Sequence, residues 1–456
     1  MHRSLNTCLL LASLAAPAPA AAQTRRASPP PLVPLAAFFQ LVGDHRAGAE
    51  RAGSLIAERW RNAYAVMLVE LAGFAPDVRT QQAVLGLLER GTGQRHDRDL
   101  DGWYEWIWQH VRESHPEYAE FKATLYGAID PRFTEYFDER PAASIRLDEI
   151  RWGGVVRDGI PPLDHPKMPA AREASYLADD NVVFGIERNG DARAYPKRIL
   201  AWHEMVRDRI GGEELNGVYC TLCGSMIFYR VVSGGMHHIL GTSGFLYRSN
   251  KLMYDAATKS LWSTLTGTPV VGPLVGKGIE LEPLFVVTTT WGEWRKRHPG
   301  TKVLSLETGH RRDYGEGVAY REYFATDELM FGVPRLDERL PNKAEVLALR
   351  FNRAPTDPLA ISADFLSRHP VYNDRLGGIA FVILTDPTGA NRVYASRGRR
   401  FASWDGRGSA RDADGNAWTV SEAALRRGDI ALERLPAHRA FWFGWYSAFP
   451  DTRLIR

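Results

Sequence analysis

An α+β chain is what this sequence predicts: an all-α domain over residues 34–140, then two tandem, related β-rich units over 145–320 and 325–456. Three observations lead there. Apolar residues recur at helical spacing through the first third, in LAAFFQLV, AERAGSLIAERWRNAYAVMLVELAGF and RTQQAVLGLLER. From about Ile145 the apolar runs shorten and fill with β-branched and aromatic residues between Gly and Pro, the pattern of strands and hairpins. Laid against itself, the β-rich part also repeats.

Taken in order, the chain starts with a leader. His2 and Arg3 precede an apolar run from Leu9 to Ala16, and small residues Ala20, Ala21 and Ala22 follow. That is the layout of a cleavable export signal over residues 1–22, which places the mature protein in the periplasm or outside the cell. The run is too short for an anchor, and no later stretch reaches the ~18–20 apolar residues of a membrane-spanning helix. Cys8 leaves with the signal, so Cys220 and Cys223 are the cysteines of the mature chain, an even count suited to an oxidising compartment. A Pro-rich linker, residues 23–33, leads into the helices. Hydrophobic residues at 45% and charged ones at 24% fit folded globular domains, and a net charge of +3 argues against a nucleic-acid binder.

The close of the helical segment, LLERGTGQRHDRDLDGWYEWIWQH, resembles the turn-and-helix of HEAT-like helical repeats. Such a surface suits docking of another periplasmic protein. Trp103, Trp106 and Trp108 read as helix packing rather than a binding face.

In the first β-rich unit, VVFGIERNGDARAY reads as strand, turn and strand about Arg188-Asn189-Gly190-Asp191. Short helices are expected at 197–207 and 290–297. In GVYCTLCGSMIFYR, Cys220-x-x-Cys223 followed by Gly224 reads as a tight turn between two strands.

The repeat is clearest where residues 281–304 align without gaps to 432–455. Leu281, Leu284, Trp291, Trp294, Pro299 and Thr301 meet Leu432, Leu435, Trp442, Trp445, Pro450 and Thr452 at a constant offset of 151 (432 − 281). Upstream, His203, Asp208, Gly211 and Gly212 meet His369, Asp374, Gly377 and Gly378 at an offset of 166 (369 − 203). Residues shared by both copies need only the fold to explain them; the cysteine pair, present in one copy, needs another reason. His203 has its counterpart in His369, so part of its role is structural.

From Arg151 to about Tyr323 the chain resembles the bacterial family called domain of unknown function 3179, and more loosely on to the C-terminus. The matching stretches are RWGGVVRDGIPPL, ARAYPKRILAWHEMV, YCTLCGSMIFY, GTSGFLYRSNKLMYDAATKSLWSTLTGTPVVGPL, TTWGEWRKRHPGTKVLS and TGHRRDYG. The resemblance implies no activity, cofactor or catalytic residue. Where many relatives have Pro after the first cysteine, Thr221 stands here.

Two thiolates aimed at one point suit a soft metal ion, copper or zinc, and a metal-binding, redox-related protein is the leading expectation. Cys220, Cys223 and His203 are the candidate ligands, with Glu204, His237 and His238 weaker ones and Met236 a further soft donor. The same pair is the minimal unit of thiol–disulfide exchange, and the third reading is a structural disulfide in an interaction module. A disulfide closing so small a loop adds little stability, which favours a functional role. Ser243, Tyr247, Tyr254 and Trp262 form a candidate pocket, and Glu307 to Tyr314 a charged, solvated loop. No Walker loop, HExxH, nucleophile elbow or dinucleotide fingerprint is present.

Overall fold

The helical periodicity of the first third becomes, in a computed structural model, helices Leu35–Gln40, Arg46–Glu58, Ala65–Gly73, Val78–Thr92, Leu100–His110, Tyr118–Gly127 and Thr134–Phe137. The structure describes residues 31–138, 140–351 and 357–456. The expected leader and most of the Pro-rich linker lie outside the described residues. Local chemistry sets the helix ends: Asp77 accepts the amides of Arg79 and Thr80 at the start of Val78–Thr92, and Gly93 in the left-handed region closes it. Ala65–Gly73 is apolar apart from Glu70 and is buried from Ala65 to Ala72. Trp103 and Trp108 are buried as the spacing predicts, and Trp108 Nε1 donates to Asp148 O at 3.0 Å. No helix among the described residues is long and apolar enough to cross a membrane.

These helices share one core with the β structure that follows. Strands Ile150–Trp152, Leu240–Tyr247, Asn250–Asp255, Leu261–Ser263 and Pro269–Val271 form an antiparallel sheet in that order. Phe245 from this sheet inserts among Tyr126, Phe133, Tyr136 and Phe137, with ring centroids 4.8–6.1 Å apart. Lys122, wholly buried, donates to Glu70 at 2.8 Å and to Ile150 O at 2.9 Å, fixing the helices to the first strand. The apolar side of the helices is thus covered by the protein's own sheet, leaving the outer faces for any partner. A chain truncated to residues 145–456 would expose Phe245, Leu252, Tyr254 and Leu261 together. It is expected to aggregate rather than fold, checked by soluble yield and near-ultraviolet circular dichroism.

The duplication is visible strand by strand. In the first copy Val287–Thr290, Val182–Arg188, Asp191–Pro196 and Lys302–Val303 form one sheet; in the second, His438–Phe441, Glu345–Leu349, Leu359–Ser362 and Arg453–Ile455 repeat the order, with the last pair parallel in both. Helices Lys197–His203 and Trp291–Arg297 have counterparts in Ala363–Arg368 and Trp442–Ala448. The residues aligned at offset 151 do the same work: Trp294 Nε1 donates to Thr301 Oγ1, and Trp445 Nε1 to Thr452 Oγ1, each at 2.9 Å. Asp208 and Asp374 each accept a tyrosine hydroxyl and the next backbone amide. Asn189 and Gly190 both have positive φ, as a two-residue hairpin turn demands. The helix expected at 197–207 stops at His203, because Glu204 turns left-handed at φ 56° and the strand Met205–Ile210 begins.

The copies are joined through a buried charge network. Glu422 accepts from Arg392 and Arg434, both at 2.8 Å, and Arg392 also reaches Asp386 at 3.0 Å, all nearly solvent-free. His298 of the first copy lies 3.6 Å from Glu422, and the neighbouring Arg297 donates to Gly406 O and Arg407 O of the second.

Candidate functional site

The cysteine turn sits at the tip of a hairpin whose strands, Glu213–Cys220 and Ser225–Arg230, pair in register from Leu215↔Arg230 to Cys220↔Ser225. Thr221 and Leu222 make the turn, Gly224 supplies the positive φ that ends it, and the cysteines are joined as a disulfide with Cα atoms 5.3 Å apart. Both cysteines are buried, at 2% and 0% exposure. The second copy supplies much of the cover. Phe441 N donates to Cys223 O at 2.7 Å, and a Cβ on Gly444 would sit 3.0 Å from Cys223 Cβ, so only glycine lets this helix approach. Tyr323 donates its hydroxyl to Leu222 O at 2.8 Å, and Val333 and Phe443 complete the apolar surround.

Beside Cys220 lies a cavity of about 50 Å³ whose polar lining comes from Glu204, Lys251, Thr242, Thr221 and Tyr320. Glu204 is placed there by the left-handed turn ending its helix, and its carbonyl accepts Tyr219 N at 2.7 Å, one residue from Cys220. Lys251 comes from the sheet that packs on the helical core. Its Nζ donates to Glu204 Oε2 at 2.7 Å and to Thr242 Oγ1 at 3.0 Å, while Tyr320 OH donates to the other Glu204 oxygen at 3.5 Å. Burial pushes the Lys251 amine below the usual lysine range, and the Glu204 charge opposes that fall. Burial likewise raises the Tyr320 phenol. Thr221 Oγ1 is buried and has no hydrogen-bond partner among the described residues. A disulfide is thus flanked by a desolvated ammonium–carboxylate pair, a group able to give up and take back a proton close to a sulfur. Met330, 49% exposed, marks the outer rim.

Of the residues singled out from sequence, Cys220, Cys223 and Glu204 belong to this site. His203 is turned elsewhere: its Nδ1 lies 2.9 Å from Pro161 O and its Nε2 2.6 Å from Tyr314 OH. The charged loop therefore reaches inward through Tyr314, which is buried, although a solvated loop is expected. His369, the counterpart in the second copy, bonds Phe365 O at 2.8 Å and stacks on that ring, a helix-end role. His238 is held between Asp255 and Ser233 O against Trp262. Met236 and His237 lie on a two-stranded hairpin with Val232–Ser233. Among the described residues no three His, Cys, Asp or Glu side chains converge to hold a metal ion. In the candidate pocket Ser243 bonds Leu252 O, Tyr254 bonds Asp158, Tyr247 pairs across strands with Asn250 and Ile150, and Trp262 is wholly buried. Their neighbours Thr242 and Lys251 face the cavity instead.

Lys251, Thr242 and Tyr320 are the site residues that sequence reasoning missed. The available signal was Lys251 itself, a lone cation inside NKLMYD, where every residue of the strand is buried.

Burial lowers the His203 imidazole to about 4 and that of His438 likewise to about 4. The unfolded chain, with histidines near ~6.5, then binds more protons than the folded one between about pH 6.5 and 4. Stability is expected to fall as pH drops through that window, read from melting temperatures, and the His203 ring protons are expected to show no titration above about pH 5.

A family model described as "Protein of unknown function (DUF3179)" matches residues 157–452. Comparison with curated proteins and with solved structures gives no match. The match spans both copies and the cysteine hairpin, and the chain belongs to the DUF3179 family.

Proposed function

We propose that this chain is an exported thiol–disulfide redox protein in which Cys220 and Cys223 exchange two electrons with a thiol substrate. The observation that carries the reading is the disulfide set against the buried Glu204–Lys251 pair in one cavity. Export is supported by the basic, apolar and small-residue order of the first 22 residues, and an oxidising compartment keeps such a pair joined.

Cys220 lines the cavity while Cys223 does not, so Cys220 is the sulfur that a thiolate entering there would attack. A substrate thiolate bonds to Cys220 Sγ, the S–S bond breaks, and Cys223 leaves as thiolate. The Lys251–Glu204 pair serves as the proton source, and the resulting Cys223 thiol has Ser249 O 3.5 Å away as its acceptor. A second substrate thiolate then attacks the substrate sulfur of the mixed disulfide and releases Cys220 as a thiolate; of the two protons the substrate thiols gave up on ionising, one protonates Cys220 and the other restores the Lys251–Glu204 pair. Two thiols become one substrate disulfide, and the protein gains two electrons and two protons.

Folded full-length protein is expected to be reduced at Cys220–Cys223 by millimolar dithiothreitol and reoxidised by a small disulfide, followed by thiol labelling and mass spectrometry. Cys220→Ser and Cys223→Ser should each abolish turnover with a dithiol. A bond that opens only after denaturation would make it a structural staple. Stoichiometric copper or zinc in the purified protein, lost in either variant, would return the site to metal binding.

A further inference from the structure

On the far side of the cysteine turn, a second cavity of about 150 Å³ opens between the two copies. One water needs roughly 10–15 Å³ measured in this way, so the space admits a small organic molecule. It forms where equivalent strands face each other: Val287–Thr290 of the first copy and His438–Phe441 of the second, with Thr288 and Arg439 at equivalent positions under the 151-residue offset. The duplication has therefore produced a pocket that neither copy contains alone.

Its charged groups are Lys197, Glu345 and Arg439, and they are not balanced. Arg439 is fully engaged: Nε donates to Asn391 Oδ1 at 2.8 Å, one terminal nitrogen to Glu345 at 2.9 Å and the other to Gly389 O at 2.6 Å. Glu345 and Arg439 thus neutralise each other. Lys197 is left with no carboxylate at ion-pair distance among the described residues; its amine stacks 4.5 Å from the centre of the Phe324 ring. Burial pushes that amine below the usual lysine range. Glu345 and Glu316 act on this half-buried cation only from beyond ion-pair distance, so a ligand anion in direct contact would relieve its desolvation further. The rest of the lining is mixed, with Phe184, Tyr219 and Phe441 supplying aromatic surface and Thr288, Thr290 and Thr388 among its polar residues.

We infer that this junction binds a small organic monocarboxylate, its carboxylate on Lys197 and its apolar body against Phe184, Tyr219 and Phe441. An inorganic oxyanion satisfies the charge and leaves the aromatic walls without a partner, so it should bind less well. The pocket stands on its own residues, and the disulfide chemistry can fail without affecting it.

Isothermal titration of the full chain with benzoate and with butyrate, at fixed ionic strength, tests the assignment. Saturable one-to-one binding of at least one of them is expected, weakened tenfold or more in Lys197→Met and retained in Lys197→Arg, with thermal melts confirming that both variants fold. Inorganic phosphate should bind at least tenfold more weakly than the better carboxylate. Absence of saturation by both carboxylates, equal binding by Lys197→Met, or phosphate binding as tight as the carboxylate would each overturn the proposal.

Discussion

Replacing Lys251 by methionine is expected to destabilise the protein by about 3–5 kcal/mol, the usual cost of removing one partner from a buried ion pair. The reason is what stays behind. The Lys251 and Glu204 side chains are only 4% and 9% exposed, so Lys251→Met leaves a buried carboxylate with a Tyr320 hydroxyl 3.5 Å away as its remaining side-chain donor among the described residues. The double variant Glu204→Gln, Lys251→Met removes both charges and should recover most of the loss, which chemical denaturation midpoints would show. The same double variant separates stability from chemistry. If the pair supplies the proton to the departing Cys223 sulfur, disulfide reduction at neutral pH should slow by roughly 10²-fold, the lower end for general acid–base catalysis, even in the restored fold. Unchanged reduction rates in that variant would confine the pair to a structural role.

Glu422→Gln should be as damaging, at about 3–5 kcal/mol, because it strips Arg434 of its counter-ion and leaves Arg392 with Asp386 alone. Arg392 and Arg434 are 1% and 2% exposed at the side chain and have no route to water. Their charges hold the Glu422 carboxyl well below the usual carboxylate range. The depressed folded value fixes the pH sign: the unfolded chain, with this group near 4.5, takes up protons before the folded one does. The contribution is complete above about pH 4.5 and disappears as pH falls through the folded value. The wild type should therefore lose stability steeply on the acid side, and Glu422→Gln should flatten that part of the curve. Since the network joins Arg297 and His298 of one copy to the other, the variant should also loosen the junction, read as faster amide exchange in the strand His438–Phe441.

Much of the architecture was legible because its signals are local. The Arg188-Asn189-Gly190-Asp191 turn, the cysteine hairpin and the Trp294–Thr301 and Trp445–Thr452 pairs each lie within a few residues, and the duplication states them twice. The first third is helical as its periodicity predicts, but its dependence on the sheet is not visible in the sequence: nothing local to Phe245 says that it fills a space between helices more than a hundred residues earlier. The candidate site shows the same division. Its cysteines stood out by spacing, and His203 drew notice for lying 17 residues before Cys220 (220 − 203). A left-handed residue at Glu204 then turns the chain, so the glutamate rather than the histidine meets the cavity.

The sequence by itself determined the duplicated β scaffold, the helical start and the presence of a cysteine turn in only one copy, since periodicity, turn residues and repeats are carried by neighbours along the chain. Tertiary structure alone decided what surrounds that turn. Lys251 meets Glu204 because two sheets pack together, and Phe441 closes over Cys223 from 218 residues away (441 − 223) because the second copy docks on the first. Both depend on desolvation: a buried charge and a buried sulfur acquire their chemistry from whichever groups exclude water around them, and those groups are chosen by packing between distant elements.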